Sequence, residues 1–137
     1  MTDILNKDLL HALNQRARLF QKSMNHVLKD HGLFASQWSI LFCLRKFGPM
    51  TQTDVSHYLH VEAPTVTRTL IKMEDSGWIA RKQGTDKRAR LIELTTKAEE
   101  EFLSIQHSVE ELEEHILENF TMEEKQQFYN LLHKMQE

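Results

Sequence analysis

The chain has 137 residues, 40% of them hydrophobic and 27% charged. That composition suits one domain around one core, and excludes both a disordered low-hydrophobicity segment and a membrane-spanning chain. The net charge of −3 hides an asymmetry: Pro64 to Arg90 carries seven Lys/Arg against three Asp/Glu, whereas Ala98 to Glu124 holds ten Glu and no Lys or Arg.

Leu9, Leu13, Phe20, Met24 and Val27 recur at helical spacing and predict a first helix from Asn6 to Lys29, stopped by Gly32. Ser36 is the candidate cap of a second helix carrying Ile40, Leu41, Leu44 and Phe47, which ends where Gly48 supplies a left-handed position and Pro49 forbids continuation. Thr51-x-x-Asp54 has capping-box spacing and opens a short third helix to Leu59. Pro64 suits the first turn of a fourth helix ending at Asp75. Its Val66, Leu70 and Met73 form one apolar stripe, while Thr65, Arg68 and Lys72 fall on other faces. Segments 78–82 and 90–94 flank a polar turn containing Gly84 and read as a β-hairpin. Thr96-x-x-Glu99 and Thr121-x-x-Glu124 then start two more helices, Lys97 to Asn119 and Met122 to Met135. In the first of these, Ala98, Phe102, Ile105, Val109, Leu112, Ile116 and Phe120 make a heptad-like seam that needs a partner.

The order is therefore α-α-α-α-β-β-α-α, mainly α with a small β-hairpin. A short helix, a tight turn, a second helix with polar and basic outward residues and then a basic hairpin is a winged helix-turn-helix. One helix fits the major groove of double-stranded DNA while the hairpin beside it reaches phosphates or the minor groove. The candidate DNA-binding residues are Thr65, Thr67, Arg68, Lys72, Lys82, Lys87, Arg88 and Arg90. The scattered glycines form no phosphate-cradling loop, and no nucleophile elbow or Ser-His-Asp signature is present, so no enzyme is expected. With one cysteine, Cys43, no internal disulfide can form, and the acidic N-terminus lacks an apolar leader; the expectation is a cytoplasmic protein with no membrane partner.

The segment from Asp86 to Thr95, DKRARLIELT, resembles the wing signature D-x-R-x-x-x-L-x-L-T of the MarR family of bacterial transcription regulators. Asp86, Arg88 and Leu94-Thr95 match, and Leu91-Ile92 depart from the pattern at its first leucine. Pro64-Thr65-Val66-Thr67-Arg68, followed by Leu70 and by Gly77-Trp78-Ile79, resembles the family's recognition helix and its exit into the wing. The resemblance covers essentially the whole chain. It implies one MarR-type domain over 1–137, with a DNA-binding lobe at 34–96 and dimerisation helices at 1–33 and 97–137, acting as a homodimeric, ligand-responsive repressor on a pseudo-palindromic operator. Carried over, Thr65, Thr67 and Arg68 face bases or phosphates, Arg88 sits at the wing tip and Asp86 shapes the wing.

Other chemistry is weighed against that reading. His107, Glu111 and His115 fall at i, i+4 spacing, with His11, His26 and His31 as further donors, so a zinc-responsive regulator of the same fold is one alternative; no cofactor or metal is assigned, because no fourth ligand is specified. A winged-helix interaction scaffold without DNA affinity is the other, though it has no need of so many basic residues on one module. Cys43, between Phe42 and Leu44, reads as an inert core thiol. Phe34, Trp38 and Phe42 could line an apolar pocket for a small aromatic effector.

Overall fold

The computed structural model describes residues 3–83 and 90–136. It runs α1 (Asn6–Leu28), a single 3-10 turn (Lys29–His31), α2 (Ala35–Phe47), β1 (Met50–Thr51), α3 (Gln52–Leu59), α4 (Ala63–Asp75), β2 (Ile79–Gln83), β3 (Arg90–Leu94), α5 (Thr96–Ile116) and α6 (Met122–Lys134). The strands form one antiparallel sheet in the order β1-β3-β2. β2 and β3 pair from Ile79 opposite Leu94 to Gln83 opposite Arg90, and β1 adds Met50 opposite Ile92. β1 is absent from the sequence reading because two residues are too few to show strand alternation.

Helix starts are set by acceptors, and two of them differ from expectation. Ser36 does not cap α2 but lies inside it. The orphan N–H groups at that end are met by Gln37 Oε1, which accepts from Phe34 N–H at 2.9 Å, and by Asn25 Oδ1 of α1, which accepts from Ala35 N–H at 2.7 Å. Likewise Thr95, not Thr96, caps α5: its Oγ1 accepts from Ala98 N–H at 3.2 Å while its hydroxyl donates to Gly77 C=O at 2.6 Å. One side chain thereby ties the exit of the sheet to the turn after α4. α5 stops at Ile116, short of Asn119. Both other capping boxes form, Thr51 with Asp54 and Thr121 with Glu124.

Gly48 ends α2 at φ 79° and ψ −168°, outside the left-handed helical region expected for it. That extended, positive-φ conformation is essentially restricted to glycine, and it turns the chain directly into Pro49 and β1. Gly77, at φ 82°, closes α4 and lets Trp78 N–H donate back to Met73 C=O at 2.9 Å.

The core is built by Leu28 of α1, Leu41 of α2, Val55 of α3, Val66, Leu70 and Met73 of α4, Ile79 and Ile92 of the sheet, and Ile105 of α5. Burying each such side chain is worth about 1.5–3 kcal/mol. The α5 seam does not wait for a partner along its whole length. Ala98, Phe102, Ile105 and Val109 are buried within the chain, Phe102 stacking on Trp38 with ring centroids 5.0 Å apart, whereas Leu112 is half-buried and Ile116 exposed. Phe120 lies beyond α5 and meets Phe128 of α6 edge-on at 5.9 Å. α6 buries no residue at all, and the N-terminal half of α1 leaves Leu9 and Leu10 exposed beside it. Leu9, Leu10 and Leu13 face Phe128, Leu131 and Leu132 across an apolar groove of about 350 Å³. No helix among the described residues is long and apolar enough to cross a membrane.

Candidate nucleic-acid interface

α3 begins at a reciprocal cap, Thr51 Oγ1 accepting from Asp54 N–H at 3.1 Å and Asp54 Oδ2 accepting from Thr51 N–H at 3.3 Å. It ends at His60, whose φ of 55° places it in the left-handed region and reverses the chain. Ser56 braces the reversal, its hydroxyl donating to Val61 C=O at 2.6 Å. Pro64 then sits in the first turn of α4, where its missing N–H leaves no intrahelical bond unmade. Because Val66, Leu70 and Met73 are buried, the opposite face of α4 is held toward solvent with Thr65, Arg68 and Lys72 exposed on it.

The charges on this surface are not equivalent. Arg81 pairs with Glu74 at 3.4 Å and Lys82 with Glu93 across the hairpin at 3.2 Å. Lys97, outside the predicted set, donates to Ser76 C=O and lies over the Trp78 ring at 4.3 Å. Arg68, Lys72 and Arg90 have no ion-pair partner among the described residues, so the uncompensated charge concentrates on α4 and at the start of β3. Arg68 Nη2 donates to Thr65 Oγ1 at 3.3 Å, which groups two predicted residues into one unit. Asp86, Lys87 and Arg88 lie outside the described residues.

Thr67 is placed differently from its neighbours. It is half-buried, its hydroxyl donates to Ala63 C=O at 3.0 Å, and its Oγ1 accepts from Gln52 Nε2. A threonine hydroxyl has one proton to donate, and here it is used inside the chain. Gln52, absent from the sequence-predicted set, thus links the first turn of α3 to the exposed start of α4. Its position after the Thr51 cap was visible in sequence, but its partner fifteen residues away was not.

Away from α4 and the sheet, α1, α2, α3 and α5 line a half-open cavity of about 260 Å³. Phe20, Trp38, Phe42 and Tyr58 supply its rings, and Glu110 and Glu113 its acids. Trp38 and Phe42 of the predicted aromatic group are there, their rings tilted at 52° and 6.3 Å apart; Phe34 is exposed and is not part of the wall. Partial desolvation, and then the neighbouring Glu110 charge, pushes the Glu113 carboxyl up from its ordinary value although the residue stays exposed. Cys43 is buried against Met50, Sγ to Sδ 3.2 Å, and burial pushes its thiol up, away from the reactive thiolate. The histidine and glutamate donors considered for zinc separate: His107 meets Glu111 at 3.2 Å, His115 turns to Glu118 at 3.5 Å, and His31 Nε2 contacts Ser108 Oγ at 3.1 Å. Among the described residues no three His, Cys, Asp or Glu side chains gather as a metal site.

A recognition helix held by its buried stripe, a preceding short helix and a two-stranded wing define a winged helix-turn-helix transcription regulator. The MarR family model matches residues 33–89. The HTH-type transcriptional regulator YwoH of Bacillus subtilis (strain 168) is 47% identical over 127 residues, 93% of either chain. A MarR protein from Peptoclostridium difficile superposes with a TM-score of 0.86 at 26% identity, covering 98% of this chain and 89% of that one. A mutant MarR from E. coli complexed with operator DNA gives a TM-score of 0.82 at 26% identity, covering 97% and 98%. The chain belongs to the MarR family of transcription regulators and is not an enzyme.

Proposed function

We propose that the chain is a homodimeric, effector-responsive repressor that occupies a pseudo-palindromic operator in the cytoplasm. The observation that carries the DNA reading is the face of α4, where Thr65, Arg68 and Lys72 are exposed and the two cations lack ion-pair partners among the described residues. In this reading residues 34–96 form the DNA-binding lobe. Arg68 pairs with a guanine edge or a phosphate, Thr65 offers its hydroxyl and methyl to a base edge, and Thr67, tied to Gln52, fixes the depth of the helix. Lys72, Arg90 and, at the wing, Lys82, Lys87 and Arg88 neutralise phosphates, with Asp86 shaping the wing tip.

Residues 1–33 and 97–137 form the dimerisation helices. Support comes from α6, which buries nothing within its own chain, and from the apolar groove between it and α1. A second copy covering that groove places two recognition helices on one DNA face, where their separation must be about one helical turn, 34–36 Å, to enter successive major grooves. The small aromatic effector belongs in the 260 Å³ cavity between the arm helices α1 and α5 and the lobe. It shifts the separation only by as much as its affinities for the DNA-bound and free geometries differ.

Selection of bound fragments from a genomic library by the purified protein tests this reading. Recovery of a shared inverted repeat supports it, and absence of any retained operator-length DNA at low salt overturns it.

A further inference from the structure

We propose that the cavity between α1, α2, α3 and α5 takes a cationic ligand with a single aromatic ring, such as an arylalkyl ammonium, rather than an anionic or neutral phenol. The inference rests on the effector reading for the cavity's regulatory role, but its chemistry follows from the walls. The lining includes two carboxylates, Glu110 and Glu113, and no Lys, Arg or His. They stand three residues apart on α5, which puts them on one helix face. Neither has an ion-pair partner among the described residues. An anion entering here meets two like charges with nothing opposite to compensate them.

The rest of the wall favours the same choice. Trp38, Phe42, Tyr58 and Phe20 offer π-systems whose electron-rich faces attract cations, an interaction that strengthens as water is excluded. Trp38 is held in place by its stack on Phe102, so one wall is fixed before a ligand arrives. A volume of about 260 Å³ admits a one-ring compound with a short ammonium arm. Glu110 and Glu113 both remain solvent-exposed, yet some desolvation and the neighbouring Glu110 charge push the Glu113 carboxyl up, a cost that a bound ammonium would relieve.

The test is a calorimetric titration of the full chain with benzyltrimethylammonium and, separately, with phenylacetate. The proposal expects one cation bound per chain and the anion bound at least about tenfold more weakly. The double variant Glu110→Gln/Glu113→Gln, its fold checked by circular dichroism, should weaken the cation by about tenfold or more, and Phe42→Leu should weaken it by a few-fold. Phenylacetate binding as tightly as the cation, no binding of either probe, or wild-type cation affinity in the double variant each overturns the proposal. A parallel measurement of operator affinity with and without the cation separates the two readings: cation binding that leaves DNA affinity unchanged supports the site and defeats its role as effector site. Cation binding by a chain that retains no DNA likewise supports the site, and defeats the regulator reading alone.

Discussion

The lobe from α2 to β3 and the arm made by α6 with the first half of α1 meet the demand for burial in opposite ways. The lobe takes Trp38, Leu41, Val55, Leu70, Met73, Ile79 and Ile92 out of water within one chain. The arm leaves Leu9, Leu10, Phe128, Tyr129, Leu131 and Leu132 exposed, and α6 has no buried residue. An amphipathic helix gains most of its stability from what covers its apolar face. The lobe's helices therefore carry their cover with them, whereas the arm's apolar faces lie uncovered within one chain. The face of α4 inherits this division: its local shape is set inside one chain, and in the proposed dimer its reach across an operator is set by the pair.

The largest effect should come from charging the arm. Leu10→Asp with Leu132→Asp is expected to leave the lobe folded, give monomers at micromolar concentration by sedimentation, and weaken operator binding by more than about 100-fold because the two half-sites are no longer linked. Persistence of the dimer would move the interface elsewhere. The lobe is attacked at Leu70, which is fully buried; Leu70→Ala should cost about 2–5 kcal/mol by denaturant titration. A cost below about 1 kcal/mol would mean that the recognition helix is not seated as described.

The recognition surface should respond in a graded way. Arg68→Ala is expected to cost about 1–3 kcal/mol on the selected operator and much less on random DNA, with thermal stability nearly unchanged. An equal loss on both DNAs would assign Arg68 to phosphate. Gln52→Ala should act on specificity through Thr67, lowering discrimination between operator and random DNA by less than Arg68→Ala does, as read in paired binding titrations. The smallest effect concerns Glu113. Its folded carboxyl sits above its ordinary value, so the charged form is disfavoured in the fold above that pKa, and the cost disappears as acid protonates it. Glu113→Gln should therefore raise the melting temperature slightly near neutral pH, and the gain should fade as pH falls through the carboxylate range.

What the sequence disclosed depends on how far each interaction reaches. The Thr51–Asp54 and Thr121–Glu124 boxes and the Val66, Leu70, Met73 stripe are local, and all appear in place. Ser36 misled because the acceptors that serve α2 are Gln37, inside the helix, and Asn25, on another one. Thr96 misled because its neighbour Thr95 takes the cap, held there by its hydroxyl's bond to Gly77, which the sheet fixes. The heptad spacing of α5 marked which face is apolar but not what covers it, so Phe102, Ile105 and Val109 looked like interface and belong to the core. In the site, Arg68 and Lys72 were legible as basic residues off the stripe. The pairing of Lys82 with Glu93 and of Gln52 with Thr67 was not, because each depends on tertiary placement.

The central claim, that one chain folds the reading head and two chains make the reader, is tested most directly by stoichiometry on the selected operator. Sedimentation equilibrium of the protein with a duplex carrying one inverted repeat should find two chains per duplex, with no detectable one-chain complex at micromolar protein. A saturated complex of one chain per duplex, as tight as on the full repeat when half the repeat is scrambled, would contradict it.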